Sequence, residues 1–154
     1  MEYLLKAYTD GSFSKNKPDV YGWGVAIHDD KDYLIDSISG TGNKFIESWQ
    51  IGGECEAVLR IMTYVLNSSQ YKNISILEIN YDYIGVEKWA LGQWKAKKDV
   101  SQEYVKDFLD LKRQLMARNI MVHFVKVKGH SGNKGNDKAD ELASSAVKSY
   151  YEAK

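Results

Sequence analysis

Apolar residues recur along this chain at two different periods, and the points where the period changes mark its architecture. From Tyr3 to Thr9 the pattern reads as a strand, and Gly22 to His28 reads as a second. Between them Ser14-Lys15-Asn16-Lys17-Pro18-Asp19, which holds the only proline, reads as a hairpin loop. Asp29 to Asp32 forms a turn, and Tyr33 to Ser39 a third strand. Three strands on short loops predict an antiparallel meander. The period then becomes helical: between Glu54 and Leu66, apolar residues fall at 57, 58, 61, 62, 65 and 66. Ile74 to Asn80 predicts a strand, Val86 to Leu91 and Tyr104 to Arg118 predict helices, and Met121 to Val127 a last strand. A final helix runs from about Asn136 to Tyr150. The order β-β-β-α-β-α-α-β-α implies an α/β protein, one mixed sheet with helices packed on it. Ligand sites in such sheets favour the carboxyl ends of neighbouring strands.

At 154 residues, with 44% hydrophobic and 27% charged, the chain suits one globular domain spanning 1–154. No run of 18 apolar residues is present, so no membrane partner is expected, and the first residues do not resemble a secretory signal. Cys55 is the only cysteine, which excludes an intramolecular disulfide and suits a reducing, cytoplasmic setting. A monomer is the default expectation. The 21 basic and 21 acidic residues cancel, which argues against holding nucleic acid by bulk charge. The bases are clustered, however, at Lys95, Lys97 and Lys98 and again at Lys126, Lys128, Lys134 and Lys138.

Four acids stand where a solvated charge is poorly explained. Asp10 closes the first strand, where Asp-Gly alternatively reads as a turn. Glu54 stands three and four residues before Ala57 and Val58, on the buried face of its helix, while Glu56 falls with Arg60, Thr63 and Asn67 on the wet face. A first-turn acid at 54 would also complement the helix dipole. Asp82 follows the fourth strand, where it alternatively caps a helix. Asp140 borders the apolar stripe of the last helix, whereas Asp137 lines up with Glu141, Ser144 and Lys148 in solvent. Acids at the ends of neighbouring strands and at the start of a packed helix converge, and cannot all stay ionised without cations. Oxygen donors without a Cys or His cluster select Mg²⁺ or Mn²⁺ over Zn²⁺.

At these residues the chain resembles type 1 ribonuclease H over nearly its full length. Tyr8-Thr9-Asp10-Gly11-Ser12 is similar to the family's first-strand motif, and Gly22-Trp23-Gly24-Val25-Ala26 to its second strand. Gly53-Glu54 opens an amphipathic helix as the family's catalytic glutamate does. Tyr81-Asp82-Tyr83 stands at the third acid, where the family more often has Thr-Asp-Ser. The most specific piece is Val127-Lys128-Gly129-His130-Ser131-Gly132 followed by Asn136-Asp137-Lys138-Ala139-Asp140-Glu141-Leu142-Ala143. The resemblance implies a three-layer ribonuclease H-like fold. Its five-stranded mixed sheet has strands 1–3 as a meander, strands 4 and 5 parallel to strand 1, and helices on both faces. It implies hydrolysis of the RNA strand of an RNA–DNA hybrid, leaving 5′-phosphate and 3′-hydroxyl ends. Two Mg²⁺ ions, with Mn²⁺ as a possible substitute, would be held by Asp10, Glu54, Asp82 and Asp140. By the same resemblance Asp10 bridges both ions, Glu54 and Asp82 hold the one near the leaving group, and Asp140 the one near the water. His130 would be a proton shuttle; its alternative is a solvent-facing loop imidazole.

The resemblance also nominates Gly11, Ser12, Asn16, Gln50 and Asn136 for contact with the hybrid. Gln50 stands where the family usually has Asn, and Trp49 where relatives often place a phosphate-binding polar residue. Trp89 and Trp94, interleaved with Lys95, Lys97 and Lys98, are similar to a shortened basic protrusion that grips the DNA strand; the alternative is two core tryptophans beside a solvated helix end. Base readout is not expected, because side chains do not enter the narrow major groove of A-like duplexes. Other enzymes on the same fold, including DNA-directed nucleases, and a non-catalytic hybrid-binding module are the competing readings. The module predicts loss of at least one acid, and all four are present. A fragment of a reverse transcriptase is a third, against which Met1 and a complete last helix speak.

Overall fold

A computed structural model describes residues 3–45, 50–93, 95–96, 99–128 and 132–153. The meander is β1 (Leu4–Ser14), β2 (Lys17–His28) and β3 (Leu34–Gly42). Helix α1 (Gln50–Asn67) leads through a short 3₁₀ turn to β4 (Ile76–Tyr81). Then come α2 (Gly85–Ala90), α3 (Asp99–Ala117), β5 (Met121–Lys126) and α4 (Lys134–Glu152). The element order is the expected one, and so is the sheet. Strands run β3-β2-β1-β4-β5, with β1–β2 and β2–β3 antiparallel and β4 and β5 parallel to β1.

Several boundaries differ, for physical reasons. Asp10 does not end β1; it pairs with Gly24 well inside the hairpin, and the strand continues to Ser14. The expected six-residue loop therefore shrinks to a turn at Lys15 and Asn16, because Ser14 already pairs with Lys17. Pro18 is tolerated inside β2 because β3 pairs only with the part of β2 from Tyr21 onward, so a missing N–H costs no bond to β3. The far end of α4 pins this hairpin: the Tyr151 hydroxyl donates to the Lys17 carbonyl (2.6 Å) and accepts from the Asp19 amide (3.0 Å).

The two faces of the sheet are covered unequally. On one face α1 lies over β1 and β2 and is itself backed by α3. Leu5, Ala7, Val25, Ile27, Val58, Ile61, Leu77 and Phe108 belong to the core there. On the other face α4 crosses β1, β2 and β3. It approaches so closely that a Cβ on Gly24 would stand 2.5 Å from the Ala139 carbonyl oxygen, and one on Gly22 2.1 Å from that of Ala143. Glycine at these positions is required by backbone approach rather than by torsion.

One expectation about α1 fails. Glu56 is not on a wet face; it is 8% exposed. The Tyr21 hydroxyl donates to one of its oxygens (2.5 Å) and the Arg60 Nε to the other (2.7 Å), so the carboxylate is buried with both oxygens satisfied. Arg60 also lies over the Trp23 ring, 5.1 Å from its centroid. On β3, burial alone would raise the Asp36 pKa. The Tyr64 and Tyr71 hydroxyls, both donating to it, outweigh burial and hold it below the ordinary aspartate value, tying β3 to α1.

Candidate active site

Parallel strands β1 and β4 stay paired only as far as Tyr8 opposite Asn80. Beyond that pair β1 continues with β2 alone, so a crevice opens between β1 and β4 at their carboxyl ends. Asp10 and Asp82 stand on its two sides. Side chains alternate along a strand, so Asp10 shares the face of Tyr8, which packs against Ala139 of α4. Asp140, the next residue of α4, is thereby brought toward Asp10, and the two interact electrostatically.

Glu54 reaches the crevice from the opposite face because α1 presses into the strands. Ideal Cβ atoms on Gly11 and Gly53 would lie 2.6 Å from the Glu54 amide nitrogen and 2.4 Å from the Gly22 carbonyl oxygen. Only a pair of facing glycines lets helix and strand approach this far. Asp10 and Glu54 are each 7% exposed and share a side-chain hydrogen bond. Burial pushes the carboxyl of Asp10 up, helped by Asp140 and Asp82, although the bond with Glu54 and the Gly11 amide (2.9 Å to Oδ1) pull the other way. Glu54 is pushed further, well above the usual range, first by burial and then by Asp10 and Asp82. The pair therefore tends to hold a proton. Among the described residues, Glu54 Oε2 is buried without a hydrogen-bond partner.

Asp82 does not cap a helix: α2 begins three residues later, and its capping position, Ile84, makes no side-chain cap bond. Instead Asp82 faces Lys126, the last residue of β5, whose Nζ lies 3.7 Å from Oδ1. Asp10 thus interacts electrostatically with Asp140 and Asp82, and Glu54 with Asp82, but the four acids do not form a closed cage. Among the described residues no three acids, histidines or cysteines stand close enough to hold an ion as they are. Asp10 and Glu54 turn to each other and Asp82 to a lysine. The donor set still fits hard divalent ions: it is all oxygen, and it holds a buried oxygen without a partner.

The other nominated residues fall in different places. Gly11 packs on α1, and its amide is already bonded to Asp10. Ser12 lies half-buried, 3.4 Å from the Ser144 hydroxyl. Asn16 is exposed at the hairpin tip. Asn136 is only 2% exposed, its amide bonded to Asn133, the residue that caps α4. Trp89 packs half-buried on the core, 5.9 Å from the Tyr83 ring, which favours packing over an outward grip. Lys95 is exposed. Trp49, Trp94, Lys97, Lys98, His130 and the Gln50 side chain lie outside the described residues. Sequence reasoning placed Lys126 only in a basic cluster. The available signal was its position one residue short of the end of an apolar strand, which the register sets opposite Tyr81 and so beside Asp82.

Fold and site together define an α/β protein with an acidic, oxygen-only centre at a strand crevice. The RNase H family model matches residues 3–148, and the chain belongs to the ribonuclease H family, type 1. It is 32% identical to the ribonuclease H of Francisella philomiragia over 145 residues, 92% of this chain and 89% of that one. It is likewise 32% identical to that of Chromobacterium violaceum over 155 residues, 96% and 97% of the two chains. In fold it is similar to RNase H1 of the halophilic archaeon Halobacterium salinarum, with a TM-score of 0.73 at 18% identity over 95% of this chain and 98% of that one. LC11-RNase H1, solved in complex with an RNA/DNA hybrid, gives a TM-score of 0.70 at 20% identity, covering 93% and 99%. Members of this family generally depend on divalent metal.

Proposed function

We propose that this chain is an endoribonuclease that hydrolyses the RNA strand of RNA–DNA hybrids, leaving 5′-phosphate and 3′-hydroxyl ends. The observation that carries the reading is the buried Asp10–Glu54 pair, with one oxygen lacking a partner, in the same crevice as Asp82 and Asp140. Asp10, Glu54, Asp82 and Asp140 would hold two Mg²⁺ ions, and Mn²⁺ as a substitute. When bound, such ions activate water and stabilise the departing 3′-oxygen. The chain's own contribution is positional. The glycine contact of α1 with β1 fixes Glu54 against Asp10, and the packing of Ala139 on Tyr8 fixes Asp140. Low exposure of Asp10 and Glu54 favours a shared proton, which a bound cation would replace with little screening by water.

End-labelled RNA–DNA, RNA–RNA and DNA–DNA duplexes, incubated with Mg²⁺, Mn²⁺ or excess chelator, test this reading. The expected result is cleavage of the hybrid's RNA strand alone, and none with chelator. Equal cutting of double-stranded DNA would reject the substrate, and activity in chelator would reject the metal requirement.

A further inference from the structure

Lys126 stands where a divalent ion would have to work against it. Its Nζ donates to the Val127 carbonyl (2.9 Å), which tethers the ammonium, and lies 3.7 Å from Asp82 Oδ1. With Ile51, Glu54, Asp82, Tyr83 and Ile84 it lines a cavity of about 380 Å³ that opens beside the acids. The position follows from the register, since Lys126 is the last residue of β5 and pairs with Tyr81, next to Asp82. It is a lysine in ion-pair contact with one of the four acids.

From this geometry we infer that Lys126 is a built-in counter-cation of Asp82 that an incoming divalent ion must displace, so that it sets the metal concentration at which the site fills. The inference rests on the reading of the four acids as the metal centre. Two effects act in the same direction. An Asp82 oxygen that faces the ammonium must turn away from it to bind an ion. A bound divalent ion would also sit within a few ångströms of a fixed positive charge. Lys126 is 43% exposed in its side chain, so water screens the repulsion, and a modest effect on affinity is expected rather than an all-or-none one.

The test is Mg²⁺ affinity, read by calorimetry and by Mg²⁺-dependent thermal stabilisation, neither of which needs turnover. Lys126→Met should bind Mg²⁺ roughly three- to tenfold more tightly than the natural chain. Lys126→Arg, which keeps the charge, should stay within about twofold. Lys148→Met changes net charge equally at the distant Lys148–Glu152 pair and should leave affinity unchanged. An unchanged Mg²⁺ affinity in Lys126→Met would overturn the inference; with a raised KM for the hybrid, it would assign Lys126 to the nucleic acid instead. An equal shift in Lys148→Met would overturn it in favour of overall charge. Failure of the natural chain to bind Mg²⁺ would reject the metal centre itself, a different outcome from either.

Discussion

Asp10→Asn should abolish hybrid cleavage while making the ion-free protein more stable. Metal-assisted charge stabilisation contributes several kcal/mol to such reactions, and about 4 kcal/mol corresponds to roughly 10³ in rate. A loss of at least about 10³-fold is therefore expected in steady-state cleavage. The stability change has the opposite sign because of where the proton sits. Burial raises the pKa of Asp10 and raises that of Glu54 further. A carboxyl raised in the folded state contributes stability that is fully present below the ordinary carboxylate pKa. That stability is lost as pH rises through the folded-state value. The ion-free natural chain should thus lose thermal stability from about pH 4 upward. Asp10→Asn removes one of the two charges and should flatten this decline, with a melting temperature a few degrees higher near pH 7 (about 2–4 °C per kcal/mol for a chain of this size). Scanning calorimetry with chelator across pH checks it. An unchanged pH profile in Asp10→Asn would show that the pair is not coupled.

Gly53→Ala should damage the enzyme from the helix side. In an exposed helix interior, this exchange gains up to about 1 kcal/mol through backbone propensity. Here the new methyl would stand 2.4 Å from the Gly22 carbonyl oxygen and 2.9 Å from the Gly11 Cα, and both are backbone. Neither can swing aside, so α1 must lift off the sheet, at a cost of about 1–3 kcal/mol or more. The clash outweighs the propensity gain, and a fall in melting temperature of several degrees is expected. Lifting α1 also moves Glu54 relative to Asp10, and misplacement by about 1 Å can cost roughly 10² in rate. Thermal unfolding and cleavage kinetics on the purified variant measure both. Wild-type cleavage would show that the close approach of α1 does not position the site.

How much of this is legible in the sequence depends on the kind of signal. Periodicity located every strand and helix of the sheet layers, because burial of one face writes itself into residue order. It also separated Asp140 from Asp137, which is exposed as expected. It failed on Glu56, because the partners that bury that acid, Tyr21 and Arg60, come from a distant strand and from the next helical turn. Residues 54 and 56 lie on different flanks of α1, and only the sheet beneath decides how each flank is covered. Asp10 looked like the end of a strand, since Asp-Gly signals a turn. In the fold Gly11 serves the contact with α1, and the strand runs on. Lys126 became visible as a partner of Asp82 only once β4 and β5 were in register. Its place near the end of an apolar strand was legible, but the partner across the sheet was not.

Asp10, Glu54, Asp82 and Asp140 are expected to close around divalent ions on demand. Crystals grown with Mn²⁺ and an uncleavable hybrid, measured at the manganese absorption edge, test it most directly. Two anomalous peaks about 3.5–4 Å apart are expected in the crevice, within coordination distance of those four carboxylates. Manganese bound elsewhere, with the crevice bare and Lys126 still on Asp82, would contradict it.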